Sequence, residues 1–308
     1  MDSNTLYGAI PELFYTLQNL SYISLEYNDL DGTISNSVGS LGNLATLNLG
    51  DNFLSGTIPD AIANISNLNY LHLGGNELQG TIPSKLALLS KLQHLDVGYN
   101  KLTGSVPVNY VNAANIIHVD FGYNDLEGQL PEQYSDLINI QRLSFYSNQF
   151  TGTVPPAYQA LTQLTTFFVG KNKLYGTFPS FITTFVKATS IDISFCNFNG
   201  TIPNNIGDLT VLQSFYALNN MFSGTIPNSI GNLNYLYLFP IQNNRLTGTI
   251  PATLAYKPYL AYFQLNNNLL TGTIPTTLNF PSLYIFDVSY NSLEGSIPES
   301  VASMTGMV

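Results

Sequence analysis

LATLNLGDNFLSGTIP, residues 44–59, contains the pattern that decides the fold. Leu47 and Leu49 alternate with other residues, which is the two-residue period of a β-strand with its apolar side chains on one side. The rest of the stretch turns the chain back. Asn52 can satisfy backbone groups in the turn, Gly56 suits a tight bend, and Pro59 limits φ where the returning segment begins. The stretch therefore predicts a strand, a turn and a return.

This pattern recurs over the whole chain at a nearly constant spacing. Eleven steps of 24 residues lead from Asn4 to Asn268, and the last step, to Asn291, is 23 residues. Such a period indicates stacked units that share one core. No linker interrupts it, so we predict a single domain over residues 1–308. The asparagine position, called here the ladder position, falls at Asn4, Asn28, Asn52, Asn76, Asn100, Asn124, Asn148, Asn172, Cys196, Asn220, Asn244, Asn268 and Asn291.

The segments LSGTIP, LQGTIP, FSGTIP and LTGTIP give an L-x-G-x-I-P signature within the 24-residue unit. On these motifs the chain resembles the plant-type leucine-rich repeat family over essentially its whole length. The resemblance implies an α/β repeat solenoid, a curved, twisted horseshoe of about 12–13 repeats with a parallel inner β-sheet and short helical or 3-10 turns on the convex side. The family includes ectodomains of receptor-like kinases and receptor-like proteins, and polygalacturonase-inhibiting proteins. A non-catalytic recognition module, extracellular or at the cell surface, is therefore expected.

Two departures from the family pattern concern the ends of the chain. Family ectodomains usually have caps with paired cysteines, whereas this chain has one cysteine, Cys196. The sequence also starts inside a repeat and stops at VASMTGMV, residues 301–308, where another strand would begin. Open solenoid ends expose core and strand edges. We therefore expect a domain uncapped at both ends, either a fragment of a longer protein or a unit that self-associates end to end.

Composition narrows the classes of partner. The net charge is −10 and charged residues are 9% of the chain, so there is no basic footprint for nucleic acid or for anionic lipid. There is no run of 18 apolar residues and no signal peptide, so this segment is not expected to insert into a membrane. No cofactor is expected.

The residues between the leucines are expected to face solvent on the concave side. Neighbouring strands lie about 4.8 Å apart, so His94 should adjoin His118, and Asp96 should adjoin both Asp120 and His72. The three histidines of the chain thus fall on three consecutive strands. Aspartate at this position is common in the family, so the histidines are the more informative half of each pair.

We interpret this cluster as a polar recognition patch, with mere surface variation as the alternative. A further alternative is a zinc or copper site built from three imidazoles and two carboxylates. An open sheet offers no enclosing pocket and no catalytic signature is visible, so neither metal-binding nor catalytic residues are assigned. Adjacent carboxylates repel and nearby imidazolium would relieve this, so the patch is predicted to respond to mild acid.

A second predicted patch is apolar and follows further along the chain. It places Phe168, Phe195, Tyr216, Leu218, Leu238, Pro240 and Tyr262 on one outward, continuous surface. Pro240 lacks a ladder donor, so a local bulge is expected there. Together the patches suit a protein, peptide or glycan ligand. The predicted ligand-binding residues are Tyr70, His72, His94, Asp96, Tyr99, His118, Asp120, Tyr123, Arg142, Tyr146, Phe168, Tyr216, Leu218 and Leu238.

Three further features have simple interpretations. Cys196 is read as a structural substitute for the ladder asparagine. Asn19, Asn64 and Asn199 begin N-x-S/T sequons and are candidate glycosylation sites. A threonine or serine usually follows the motif glycine, and such a column is also seen in ice-binding proteins. The alternative function is therefore a structural or self-assembling surface protein, including ice binding through this column.

Overall fold

The computed structural model describes residues 1–302 and 304. Most of the predicted open C-terminal end lies outside the described residues. Contacts between Cα atoms divide the chain into two compact units, Met1–Thr151 and Gly152–Val308, called here unit 1 and unit 2. The single domain over residues 1–308 stays a prediction.

Each unit contains a parallel sheet of the strands that carry the L-x-L pattern. Partners in neighbouring strands are 24 residues apart, as His94 and His118 are, so every strand presents the same repeat positions in line. In unit 1 the sheet runs β2 (Tyr22–Ser24), β4 (Thr46–Asn48), β6 (Tyr70–His72), β8 (His94–Asp96), β10 (His118–Asp120) and β12 (Arg142–Ser144). In unit 2 it runs β14 (Thr166–Phe168), β16 (Ser190–Asp192), β18 (Ser214–Tyr216), β20 (Leu238–Pro240), β22 (Tyr262–Gln264) and β24 (Ile285–Asp287).

A second strand follows each turn and pairs in parallel with strands of the same kind. In unit 1 these strands are β1 (Tyr7–Ala9), β3 (Asp29–Asp31), β5 (Ser55–Thr57), β7 (Glu77–Gly80), β9 (Lys101–Gly104), β11 (Asp125–Gln129) and β13 (Gln149–Thr151). In unit 2 they are β15 (Tyr175–Thr177), β17 (Asn197–Asn199), β19 (Ser223–Thr225), β21 (Arg245–Gly248), β23 (Leu269–Gly272) and β25 (Ser292–Leu293).

The returning segments are short 3-10 helices that begin directly after the motif proline, or after Ser35 where the repeat has serine in its place. Pro59 has φ −69°, and its carbonyl accepts from the Ile62 N–H, so the proline starts the turn as predicted. The 3-10 helices are Glu12–Thr16, Asn36–Ser40, Asp60–Asn64, Ser84–Leu88, Val108–Asn112, Glu132–Asp136, Pro156–Ala160, Ser180–Thr184, Asn204–Asp208, Asn228–Asn232 and Ala252–Leu254; α1 is Glu299–Ala302. Across the described residues, every helix is too short or too polar to cross a bilayer.

The apolar positions of the repeat form the core. Leu44 and Leu54 are 0% exposed, Leu47 and Leu49 are 2% exposed, and Ile58 is 3% exposed. Burying a leucine side chain contributes roughly 1.5–3 kcal/mol relative to leaving it in water. The period of the sequence therefore identifies the residues that hold each unit together.

The ladder asparagines link each turn to the turns on either side of it. The Asn52 Nδ2 donates to the carbonyls of Leu25, Leu49 and Gly50 at 3.0, 3.2 and 2.9 Å. Its Oδ1 accepts from the Leu30 N–H at 3.0 Å. The side chain thus bonds four backbone groups, and the carbonyls of Leu25 and Leu49 are shared with the ladder asparagines Asn28 and Asn76, which confirms the predicted ladder.

The residue before each ladder position has left-handed backbone, which the sequence did not predict. Gly75 has φ +67°, which glycine adopts readily. At the same position Tyr99 has φ +51°, Tyr123 has φ +53° and Ser147 has φ +54°. A left-handed residue with a side chain costs roughly 1–2 kcal/mol, so every such turn stores strain that the ladder bonds must offset.

Pro240 does not produce the predicted bulge. It lies in β20 in normal register, opposite Gln264 of β22. Because Pro240 has no N–H, the pairing of β20 with the strand on its other side is weakened. There β18 and β20 pair only at Ser214 and Leu238. The Pro240 side chain is also buried, so it adds no exposed surface to the predicted apolar patch.

Candidate functional site

The predicted adjacency of the histidines and aspartates in unit 1 is confirmed. The register pairs His94 with His118, Asp96 with Asp120, and His72 with Asp96. These five residues, together with Tyr70 and Arg142, are called here the His–Asp patch. All seven side chains are partly exposed, so the patch is accessible from solvent.

Three rings of the patch form a continuous row across β6, β8 and β10. The rings of Tyr70 and His94 are stacked, with centroids 4.2 Å apart and planes at 14°. The rings of His94 and His118 are 3.9 Å apart and tilted by 40°. Aromatic pairs at this separation attract one another beyond simple burial. The row is therefore a fixed, flat surface.

Carboxylates lie beside this row and hold two basic side chains. The His72 Nε2 lies 3.4 Å from Glu26 Oε1, and its Nδ1 lies 3.5 Å from Asp96 Oδ2. The Arg142 Nη2 donates to Asp120 Oδ2 at 3.0 Å. Glu26 was missed by the sequence analysis. The sequence did contain a signal for it: Glu26 places a carboxylate two residues before the ladder position, where the next four repeats have glycine.

Burial sets the charge of the patch. Burial, and then the neighbouring His118 and His72, lowers the pKa of His94 to about 3. Burial also lowers the pKa of His118 to about 4, with a nearby guanidinium as the next cause. Burial and the charge of Asp120 raise the pKa of Asp96 to about 6. His94 and His118 are therefore neutral in mild acid, and the predicted response of the patch to mild acid comes from Asp96, with a pKa of about 6.

The glycines of the L-x-L face are covered by side chains of the next strand. A Cβ built on Gly50 would overlap the His72 ring, and a Cβ on Gly74 would lie 2.8 Å from Asp96 Oδ1. The Asp96 Oδ1 also accepts from the Gly98 N–H at 2.9 Å. Glycine is therefore needed so that the histidine and aspartate of the next strand can lie flat over it.

A row of tyrosines flanks the patch in unit 1. The rings of Tyr99 and Tyr123 stack with centroids 4.0 Å apart, and those of Tyr123 and Tyr146 are 5.2 Å apart. Tyr99 is 60% exposed, so this row presents aromatic surface to solvent. The structure thus brings together ten of the predicted ligand-binding residues, those from Tyr70 to Tyr146 in the chain, on one unit.

The apolar residues predicted for unit 2 do not form one continuous row. Asp192 pairs with Phe168 on one side and with Tyr216 on the other, so a carboxylate separates the two rings. Burial raises the pKa of Asp192 to about 6. Leu218 and Leu238 are each partly exposed. The four predicted ligand-binding residues of unit 2 are therefore solvent-accessible but interrupted.

Unit 2 has a tyrosine groove that the sequence analysis missed. Its volume is about 290 Å³, and it is lined by Gln213, Tyr235, Tyr237 and Tyr259. The rings of Tyr235 and Tyr259 are parallel, 6.1 Å apart and at 14°. Gln213 and Tyr237 lie seven positions before the ladder residue, and Tyr235 and Tyr259 lie nine positions before it. The recurrence of tyrosine nine positions before the ladder residue was the available signal.

The remaining sequence-level features have clear positions. Cys196 is buried, its Sγ lies 3.7 Å from the Val169 carbonyl, and burial raises its pKa to about 12, so the thiol fills the ladder position without reactive character. The sequon residues Asn19, Asn64 and Asn199 are exposed, and their glycosylation stays a prediction.

Models of leucine-rich repeats match three segments of the chain. A model described as "Leucine rich repeat" matches residues 42–102, and a second, described as "Leucine Rich Repeat", matches residues 187–209 and 282–304. The comparison with curated proteins found no match.

Solved structures resemble the chain over nearly all of its length. A TDR receptor is 30% identical with a TM-score of 0.90, over 99% of this chain and 57% of that one. The PEPR1–AtPEP1 structure is 32% identical with a TM-score of 0.86, over 100% and 47%. The ectodomain of the Arabidopsis receptor kinase HAESA, in complex with an IDA peptide hormone, is 29% identical with a TM-score of 0.85, over 100% and 56%. The chain thus spans about half the length of these proteins.

The parallel strands, the asparagine ladder and these matches define a leucine-rich repeat solenoid. The fold and the family resemblance predicted from the sequence are confirmed. The chain is similar to leucine-rich repeat ectodomains of plant receptor kinases.

Proposed function

We propose that this chain is a non-catalytic recognition module, outside the cell, that binds a peptide or a protein segment on the L-x-L face of unit 1. The observation that supports this most is the row Tyr70–His94–His118, with ring separations of 4.2 and 3.9 Å and a row of carboxylates alongside. The site binds rather than reacts, because its groups are spread over an open face.

The patch offers two kinds of contact to an extended segment that crosses the strands. The stacked rings offer a flat surface for apolar or aromatic side chains. Asp96 is a partly exposed acceptor. A donor from the segment, such as a backbone N–H or a lysine, would pair with its carboxylate. The exposed rings of Tyr99 and Tyr123 extend the apolar surface.

The solved structures support this proposal. The HAESA structure contains a peptide hormone bound to a leucine-rich repeat ectodomain, and the PEPR1 structure contains AtPEP1. Because the chain spans about half the length of these proteins, membership of a whole receptor is part of the proposal. Glycan binding and end-to-end association stay predictions.

The proposal is tested with a random peptide library displayed on phage and panned against the whole chain. We expect the selected peptides to lose at least tenfold in affinity for the triple variant His94→Ala, His118→Ala, Tyr123→Ala. The control is Thr57→Ala with Thr81→Ala, which changes exposed residues after the motif glycines and should leave affinity unchanged.

A second variant, Tyr216→Ala with Leu238→Ala, addresses unit 2. If the triple variant and this double variant both bind the peptides as well as the parent chain does, the L-x-L face is not the recognition surface. Folding of each variant is checked by circular dichroism and by its melting temperature, because only folded variants are informative.

A self-assembling or ice-binding protein is the second candidate. The threonines after the motif glycines are exposed, and a Cβ on Gly80 would lie 3.1 Å from the Thr57 Cγ2, so each methyl lies against the next repeat. The column in unit 1 is interrupted by Gln129. Inhibition of ice recrystallisation, or growth of light scattering with concentration, would favour this candidate; a stable monomer without ice activity would remove it.

A further inference from the structure

His72 has a carboxylate on each side of its imidazole. Glu26 Oε1 lies 3.4 Å from Nε2, and Asp96 Oδ2 lies 3.5 Å from Nδ1. The Nδ1 is buried and makes no hydrogen bond. Both separations exceed the 2.7–3.2 Å of a normal N–H···O bond. The donors are aligned, yet the His72–Asp96 side has a gap.

The width of this gap matches a bound metal ion. Zinc lies about 2.0–2.2 Å from nitrogen and carboxylate ligands in a tetrahedral site, so two such ligands are roughly 3.4 Å apart. Ligand atoms of His72, His94 and Asp96 all lie within 4.8 Å of one another. Two imidazoles and one carboxylate with an open water position form a familiar zinc donor set.

The surroundings hold these donors in place. The Asp96 Oδ1 accepts from the Gly98 N–H at 2.9 Å, which leaves Oδ2 towards His72. The Glu26 Oε2 accepts from the Asn48 Nδ2 at 2.9 Å, which holds Oε1 towards the far nitrogen of His72. A carboxylate beside the second nitrogen of a metal-binding histidine is the usual outer partner of a zinc ligand, and Glu26 lies at that position, 3.4 Å from the nitrogen, slightly beyond a normal hydrogen bond.

We propose that His72, His94 and Asp96 bind one divalent transition metal, Zn²⁺ in particular, with Glu26 orienting His72. The side chains of His72 and Asp96 are 13% and 22% exposed, so an ion can reach them from solvent and water completes its coordination. Zinc binding needs no peptide, so it is tested without one, although His94 and Asp96 also belong to the surface proposed for peptide recognition.

A neighbouring set, Asp96, His118 and Asp120, also has its ligand atoms within 4.8 Å. Both oxygens of Asp120 already have partners. Its Oδ1 accepts from the Gly122 N–H at 2.8 Å, and its Oδ2 accepts from Arg142 at 3.0 Å. A metal there would compete with a guanidinium, so the set that contains His72 and His94 is favoured.

The test uses the whole chain, stripped with chelator and titrated with ZnCl₂ by calorimetry. We expect one Zn²⁺ per chain, and at least tenfold weaker binding for each of His72→Gln, His94→Gln and Asp96→Asn. Glu26→Gln should weaken binding by roughly 10–100-fold, as loss of an outer partner does. Asp287→Asn, at the same repeat position but without a histidine beside it, is the matched control and should bind as the parent does.

Three outcomes would overturn the proposal: no zinc binding by the parent chain, full displacement of zinc by equimolar Ca²⁺, or a larger loss for His118→Gln than for His94→Gln. Metal-free circular dichroism and melting show whether each variant folds. The visible d–d absorption of bound Co²⁺ gives a second readout on the unmutated chain, and bands of octahedral, all-oxygen type would exclude imidazole ligands.

Discussion

Asp192 accepts two hydrogen bonds from Ser194, one from the backbone N–H at 2.8 Å and one from the hydroxyl at 2.5 Å. Asp192 is only 8% exposed, and this burial outweighs the two hydrogen bonds. It raises the pKa of the carboxyl to about 6 from an ordinary value of 3.8. The folded state therefore binds this proton more tightly than the unfolded state does. The stabilising effect is fully present below pH 3.8 and is lost as the pH rises through 6.

Asp192→Asn should remove this pH dependence. The amide oxygen can still accept from Ser194, and no charge needs to be buried at neutral pH. We expect the variant to gain about 3 kcal/mol relative to the parent between pH 4 and pH 7, measured by urea unfolding at each pH. Asp287→Asn is the control, because Asp287 accepts the same pair of bonds from Ser289 at a more exposed position. A constant difference across the pH range would contradict the assignment.

Cys196 should be replaceable by asparagine with a gain in stability. The Cys196 Sγ donates only weakly, to the Val169 carbonyl at 3.7 Å. At the next ladder position, Asn220 donates to three carbonyls and accepts from the Phe198 N–H at 3.0 Å. Cys196→Asn should form the equivalent bonds and raise the free energy of unfolding by about 1–3 kcal/mol.

The measurement for this variant is the urea midpoint at constant slope. Cys196→Ser is the control, because a hydroxyl can restore only part of the bonding and should give a smaller effect. A lower midpoint for Cys196→Asn would mean that unit 2 has adapted to the thiol and no longer has room for the ladder amide.

The fold was predictable because its determinants are local and repeated. Each determinant acts within one 24-residue repeat: the leucines at two-residue spacing, the ladder asparagine, the motif glycine and the motif proline. The register of the repeats then fixes which residues are neighbours. That register alone placed His94 beside His118. For side chains at the same repeat position in neighbouring strands, the period alone predicts that they are adjacent.

The missed features depend on contacts between different repeat positions. His72 lies over Gly50, and Glu26 lies beside His72. Each contact joins two different repeat positions, which a comparison of residues at the same position does not reveal. Charge states were missed for the same reason: burial of His94 outweighs its neighbouring carboxylates, which a sequence cannot show. The tyrosine groove lies before the strand, where the repeat has no fixed residue.

Gly75 should tolerate a side chain less well than other residues at its position. It has φ +67°, and a Cβ there would overlap the Asp51 carboxylate. Gly75→Ala should lower the free energy of unfolding by about 1–2 kcal/mol, through strain and displacement of Asp51. Ser147→Ala, at φ +54° and already strained, is the control and should change stability by less than about 0.5 kcal/mol. Equal effects in chemical denaturation would show that Asp51 simply moves aside.

Tyr110 fixes the contact between two turns of unit 1 through its hydroxyl. The ring is 1% exposed, and the hydroxyl donates to the Pro83 carbonyl at 2.8 Å. Tyr110→Phe keeps the packing of the ring but removes this bond, so the free energy of unfolding should fall by about 1 kcal/mol. Tyr175→Phe, at a 55% exposed tyrosine, is the matched control and should have almost no effect on the urea midpoint. If both variants unfold at the parent's midpoint, the Pro83 carbonyl is satisfied by the Leu86 N–H alone, and the tyrosine contributes only its ring.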